Sequence, residues 1–335
     1  MKKEELRIFH GLHNFGTQAG MLADGLRKAG VKATSYVWND ASSRIIDVDL
    51  SNVLSRYRIV RWFQILRLFF ECLKRYNVFH FYFGLSLFPN NLDLPLYRIF
   101  GKKVVMEYLG TDVDLWLGLN GVDWRDRPVN RIKLIKKVVK QSKLVDKQLV
   151  CSPHYYQFVD NSIILPLALD LELYNYKPRN FQYNNLTFMH CPTNQKAKKT
   201  KEIEEALQQL KNEGYNFNYK RIENVTHSKL KEEYESSDVV IDQLNSWYGT
   251  VSVEAMALGR PVVAGYYNHY LLYDERYDKL PIIQADVKTI YRVLKGILDG
   301  EYDLGAIAKD SRKYVEKIHS LENVTEQLIN IYETL

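Results

Sequence analysis

Short apolar runs alternate with longer amphipathic ones along the chain. This alternation predicts parallel strands covered by helices, an α/β fold. Leu6 to His10 reads as a strand, followed by a glycine-containing turn and a helix from about Thr17 to Lys28 that stops at Gly30. Lys32 to Trp38 is the next strand, and a long amphipathic helix covers roughly Tyr57 to Tyr76. Val78 to Phe83, Lys103 to Tyr108 and Gln148 to Ser152 are further strands. The pattern then restarts. Leu186 to Cys191, Asn218 to Ile222, Val239 to Leu244, Pro261 to Ala264 and Pro281 to Gln284 read as strands. Lys201 to Lys211, Lys229 to Ser236 and Val251 to Leu258 read as helices between them, and Gly305 to Leu335 as a terminal helix.

Two α/β units in tandem are therefore expected, and 335 residues suit two domains of roughly 150 each. Asn, Tyr, Pro and Arg interrupt the periodicity between Leu169 and Asn185. The expected boundaries are 1–168, 169–315 and a last helix at 316–335. Two doubly wound domains facing one another leave a central cleft, and ligands of such sheets bind at the carboxyl ends of the strands.

Hydrophobic residues at 46% and charged residues at 26% exclude wholesale disorder. A net charge of +6 is too small for a dedicated nucleic-acid binder, so no nucleic acid is expected as partner. Cys72, Cys151 and Cys191 are few, odd in number and far apart, which excludes a disulfide framework and a CxxC zinc site. A reduced, cytoplasmic setting is expected. Met1 to Gly11 carries no apolar run of signal-peptide length, and no stretch reaches the ~18 apolar residues of a membrane span. In that setting the N-x-T triplets at Asn185, Asn224 and Asn323 are chance matches.

The common nucleotide motifs are absent. Gly11 to Thr17 has P-loop spacing, but Thr17 stands where Lys is required, and no GxGxxG follows the first strand. Gly16 lies between a strand and a helix start, where backbone N–H groups can meet an anion; a plain turn glycine is the alternative. The segment Asp238 to Ala264 reads strand, loop, helix, strand. Tyr248, Gly249 and Thr250 stand at the helix entrance, where unpaired N–H groups favour phosphate. Glu254 follows one turn inside, where a carboxylate can accept hydrogen bonds from ribose; a solvated first-turn Glu is the alternative.

This segment resembles the donor-site signature of GT-B glycosyltransferases, specifically retaining glycosyltransferase family 4. Tyr248, Gly249, Glu254, Ala255, Met256, Ala257, Gly259, Pro261, Val262 and Val263 match the pattern. The resemblance implies the GT-B fold of two Rossmann-like domains, with the C-terminal helix crossing back to the first. It implies that Glu254 holds the donor ribose and that the backbone from Gly249 through Thr250 to Val251 meets the diphosphate. The family's first Glu would fall on Ser246, eight residues before Glu254. Asp242 is the nearest acid upstream that could take its place. His190 to Thr200 resembles the family's phosphate-gripping loop, with Thr193 and Asn194 in it and Lys198 on the family's Lys; Gln195 stands where the family has Arg. Lys196, Lys198, Lys199 and Lys201 add positive charge there, although a solvated helix start would also carry them. Glu223 and Val225 fall beside the nucleotide base, and His227 reads as a helix-start residue.

In the first half, Gly16 falls on the family's glycine loop. Gly110, Thr111 and Asp112 match a strand-to-loop segment, with Leu109 in place of His and Asp114 in place of Arg. Asp112 is implied to lie beside the acceptor or the reacting sugar; a loop-capping role is the alternative. Asp112 and Asp114 also form a D-x-D, the metal site of the other main glycosyltransferase fold, but that fold leaves the Asp238–Ala264 signature unexplained. No metal and no cofactor are expected, only a UDP- or GDP-linked sugar as co-substrate. Lys198 and the helix dipole would then offset the charge of the leaving diphosphate.

The resemblance thus implies a retaining, metal-independent hexosyltransferase with a glycan or lipid-linked acceptor, working in cell-surface polysaccharide synthesis. The candidate catalytic residues are Asp112, Lys198 and Glu254. A nucleotide-sugar epimerase of the same fold and a non-catalytic partner subunit are the rival readings. The basic, aromatic stretch Arg56 to Tyr76 suits the inner face of an anionic membrane, or simply packs on its sheet with a basic edge.

Overall fold

The computed structural model describes residues 1–38, 46–110, 112–113, 128–244 and 247–335, with only the backbone at 128–131. Two compact units result. The described residues up to Ala168, together with Leu321–Leu335, form unit 1; Leu169–Ser320 belongs to unit 2.

Unit 1 is built on β1 (Arg7–Leu12), β2 (Lys32–Val37), β3 (Val48–Asp49), β4 (Val78–Tyr82), β5 (Lys103–Tyr108), β6 (Lys147–Val150) and β7 (Ile163–Ile164). The strands are all parallel, in the order β3-β2-β1-β4-β5-β6-β7. All five residues of β4 are buried, as expected of a central strand covered on both faces. Helices α1 (Gln18–Lys28), α2 (Arg58–Arg75), α3 (Leu94–Ile99) and α4 (Pro128–Ser142) connect the strands.

Unit 2 is built on β8 (Leu186–His190), β9 (Phe217–Arg221), β10 (Val239–Ile241), β11 (Val262–Ala264) and β12 (Ile282–Gln284), parallel and ordered β12-β11-β10-β8-β9. Its helices are α5 (Gln195–Lys198), α6 (Thr200–Asn212), α7 (His227–Glu235), α8 (Thr250–Ala257), α9 (Ile290–Leu298) and α10 (Leu304–Ile318). Ile203, Ala206, Leu207 and Leu210 recur at helical spacing and bury one face of α6 against Leu186, Phe188 and Val239.

The single terminal helix expected over Gly305 to Leu335 is two helices. After α10 the chain breaks at His319 and Ser320, where the His319 carbonyl accepts the Leu169 N–H at 2.7 Å. The last helix, α11 (Leu321–Glu333), belongs to unit 1, where Val324 and Leu328 join Leu22 and Leu26 of α1 in one core. Gly25 allows this approach, because a Cβ there would overlap Thr325 and Leu321.

Each sheet has one place where the strand order reverses, and loops diverge there to leave a ligand crevice. In unit 1 it lies between β1 and β4; in unit 2 it lies between β8 and β10.

Candidate functional site

The reversal in unit 2 brings together the loops after β8 and β10. His190, the last residue of β8, fixes the first loop. Its Nδ1 lies 2.8 Å from the Ile241 carbonyl, which can only accept, so Nδ1 carries the proton. Nε2 then accepts from the Thr200 hydroxyl at 2.9 Å and pins the start of α6. Burial holds the pKa of this imidazole below its ordinary value. Between these anchors the Asn194 side chain caps α5 by accepting from the Ala197 N–H at 3.0 Å. Lys199 adopts a left-handed conformation (φ 62°), and the kink turns Lys198 inward. Thr193, Asn194 and Lys196 stay exposed.

The buried Lys198 Nζ lies 2.6 Å from Asp242 Oδ1 and 3.4 Å from the Cys191 carbonyl. Asp242 Oδ2 accepts from the Ser252 hydroxyl at 2.6 Å and from the Gly249 N–H at 3.1 Å. Burial alone would raise the Asp242 pKa. The Lys198 charge and the hydrogen bonds from Lys198, Ser252 and Gly249 outweigh it and bring the pKa down to about 2. Asp242 therefore clamps the lysine loop to the entrance of α8, and both its oxygens are committed. It is not a free carboxylate standing in for the missing Glu. The Gly249 N–H is likewise taken, which leaves the first-turn N–H groups of Thr250 and Val251 for a ligand.

Glu254 is buried one turn into α8. Its Oε1 lies 3.0 Å from His227 Nε2, and its Oε2 accepts from the Tyr234 hydroxyl at 3.1 Å. An ionised carboxylate has about four acceptor positions, so roughly two remain. Tyr174 lies 2.8 Å from the same His227 nitrogen. His227, read from the sequence as a helix-start residue, is thus also a neighbour of the candidate ribose carboxylate. Glu223 Oε1 accepts from Gln195 at 2.8 Å and its Oε2 pairs with Arg221, so the loop after β9 is tied to the lysine loop. Val225 is 40% exposed beside it. Tyr248 is buried with its hydroxyl 2.8 Å from that of Tyr314 and 3.0 Å from His319 Nε2, an internal network of unit 2. Ser246 lies outside the described residues.

In unit 1 the reversal stacks the rings of His13, after β1, and Phe83, after β4, at 4.9 Å. Gly16 takes φ 53°, a left-handed turn that favours glycine, and its carbonyl accepts from the Gln18 amide at 3.2 Å. Gln18 also exchanges hydrogen bonds with the Ala168 backbone, which fixes the loop. Asp112 is buried just beyond β5. Its Oδ1 accepts from the N–H groups of Gly110 (2.8 Å) and Leu109 (3.2 Å), while Oδ2 is buried with no partner among the described residues. Burial, partly offset by those N–H groups and by Lys137, raises its pKa to about 6. Asp112 is both a loop cap and a carboxyl with one oxygen unused. Thr111 and Asp114 lie outside the described residues, so the D-x-D is not tested. No cluster of three or more metal-ligating side chains occurs among the described residues.

No model of a protein family matches the chain, and no curated protein matches it. Solved structures match over nearly its whole length. The Anabaena protein Alr3699/HepE, solved with UDP and glucose, has a TM-score of 0.66 at 12% identity, covering 99% of this chain and 100% of its own. A glycosyltransferase from Rickettsia africae ESF-5 has a TM-score of 0.63 at 14% identity, with 98% of each chain covered. S. aureus MnaA, solved with UDP, has 0.56 at 12%, covering 99% and 96%. The chain has the GT-B fold. At these identities the likeness is one of fold.

Proposed function

We propose that the chain is a retaining glycosyltransferase of the family-4 type. It holds a UDP-linked sugar on unit 2 and transfers the sugar to a glycan or lipid-linked acceptor on unit 1. One observation carries this reading: the Lys198–Asp242 clamp joins a lysine loop to the entrance of α8 at the strand reversal, with Glu254 one turn inside. Structures of like fold hold UDP and UDP-glucose, which favours UDP over GDP.

In this reading Glu254 accepts hydrogen bonds from the ribose hydroxyls. The N–H groups of Thr250 and Val251, with Lys198 and Lys196, offset the diphosphate charge as the C1–O bond to phosphate breaks. The acceptor oxygen bonds to C1 on the same face, and its proton passes to the leaving phosphate. Asp112 lies on the acceptor side and orients the attacking hydroxyl. α2 supports a lipid-linked acceptor. Ile59 and Phe63 are 76% and 65% exposed, Arg58 and Arg67 are exposed on the same helix, and Glu71 is the helix's one acid. Co-sedimentation with anionic vesicles, lost on neutral ones, checks that contact.

The test is UDP release from a UDP-sugar in excess EDTA. Release that requires acceptor, with the anomeric configuration kept in the product, supports the proposal. Conversion of the donor sugar without acceptor favours the epimerase, and loss of activity with EDTA restored by Mn²⁺ reopens the D-x-D.

A further inference from the structure

A cavity of about 500 Å³ lies in unit 1, within the roughly 300–1,000 Å³ range of small-ligand sites. Trp38, just after β2, and Arg61 and Trp62 of α2 form one side. The loop after β4 and Lys137 of α4 form the other. The cavity therefore opens at the carboxyl ends of the strands, next to the reversal point but not at it.

Its loop wall is built to keep its shape. Ser86 donates to Asp93 at 2.5 Å, Leu87 N–H donates to the same carboxylate at 2.8 Å, and Asn91 donates to Ser86 at 2.8 Å. Gln141 of α4 then donates to both Asn91 and the Gly84 carbonyl, each at 2.8 Å. These polar groups are buried and mutually satisfied, which stiffens the wall.

The charges of the lining are one-sided. Among the described residues, Arg61 and Lys137 are its two ionisable side chains and no acid lines it. Arg61 spends one N–H on the Arg56 carbonyl. Lys137, half-buried against Gly84, has neither a hydrogen bond nor an ion pair among the described residues. The charge of Asp112 acts on this ammonium without an ion pair between them, so its N–H donors stay open to an anion in the cavity. Beside these cations stand two indoles, Trp38 and Trp62, and the exposed side chain of Asn90. Indole faces take the apolar face of a ring, and an amide offers both a donor and acceptors to hydroxyls.

We infer that this cavity binds an acidic sugar, with Arg61 and Lys137 on its phosphate or carboxylate and Trp38 and Trp62 against its ring. On the reading above, it selects an acceptor whose terminal unit is charged. The inference rests on that reading for the word acceptor, but not for the binding itself.

Calorimetry on the full chain with saturating UDP, which occupies the donor side, tests it. The probes are glucose 1-phosphate, glucuronate, glucose and inorganic phosphate. At least one charged sugar should bind ten times more tightly than glucose and than phosphate. The phosphate and carboxylate arms identify which acid is preferred. Lys137→Met and Arg61→Gln should each weaken that binding about tenfold, and Trp38→Ala should bring the charged sugar down to the affinity of inorganic phosphate. UDP affinity should stay unchanged in all three variants. Equal binding of glucose and both charged sugars, or binding indifferent to Lys137→Met and Arg61→Gln, overturns the inference. Failure of UDP to bind while the charged sugar still responds to Lys137→Met sinks the donor reading and leaves the cavity standing.

Discussion

Asp242 and Lys198 stand or fall as a pair. Asp242→Asn leaves a buried ammonium without its counter-charge, which is expected to cost ~3–5 kcal/mol. Lys198→Ala should cost a similar amount, whereas Lys201→Ala, on an exposed side chain, should leave the melting temperature nearly unchanged. The folded pKa of Asp242, about 2, lies below its unfolded value. Its contribution is therefore fully present above about pH 4 and lost as pH falls through about 2, on the order of 2–3 kcal/mol. Asp242→Asn should flatten that acid limb in pH-dependent unfolding. Asp112 leads to a different expectation. A carboxyl titrating near 6 that must be ionised to orient the acceptor makes activity rise as pH rises through about 6. Asp112→Asn should remove that limb; a wild-type profile flat between about pH 5 and 7 reduces Asp112 to a loop cap. Glu254, Gly249 and Lys198 were legible in the sequence because they belong to compact spaced motifs. The contact between His227 and Glu254 was not, since the two lie 27 residues apart and only the fold of α7 beside α8 joins them. The commitment of Asp242 to Ser252 and Gly249 was equally invisible, because any acid at a strand end reads the same way.

The longer strands of both units were legible as apolar runs, with ends within three residues of the expected ones, whereas the two-residue edge strands β3 and β7 are too short to form a run and were not. The helices were less so. α4 exposes Ile132, Ile135 and Val139 while burying Gln141, so its apolar positions do not mark its inner face. α9 is only nine residues long, too short for its period to stand out. The break between α10 and α11 is tertiary: the His319 ring is held by Tyr248, and its carbonyl by the Leu169 N–H. α11 is tied to its sheet by Tyr332, whose hydroxyl lies 2.6 Å from His80 Nδ1 and 3.4 Å from His10 Nε2. Burial keeps His80 neutral, with its pKa lowered to about 3, and keeps the adjacent Glu107 protonated, with its pKa raised to about 8. Tyr332→Phe strips a buried imidazole of its partner and should lower stability by ~1–3 kcal/mol without changing UDP affinity. Denaturant unfolding of the pair of proteins, with UDP titrations on the same samples, checks both halves of that expectation.

For the whole molecule, the alternation of runs was enough to specify two α/β units, but not the strand orders. A parallel strand pattern carries no record of which neighbour it pairs with, so the reversal points at β1/β4 and β8/β10 emerge only from the fold. Those points decide the account, because one of them collects the lysine loop, the clamp and Glu254. The direct test is calorimetric titration of UDP and of UDP-glucose into the wild-type protein and into Glu254→Gln. One saturable site per chain is expected, weakened about tenfold or more by the substitution, since hydrogen bonds to a charged group contribute ~1.5–3 kcal/mol. The melting temperature without ligand should stay close to that of the wild type. No saturable binding of any nucleotide to the wild-type protein, or equal affinity in Glu254→Gln, would contradict the assignment of unit 2 as the donor site.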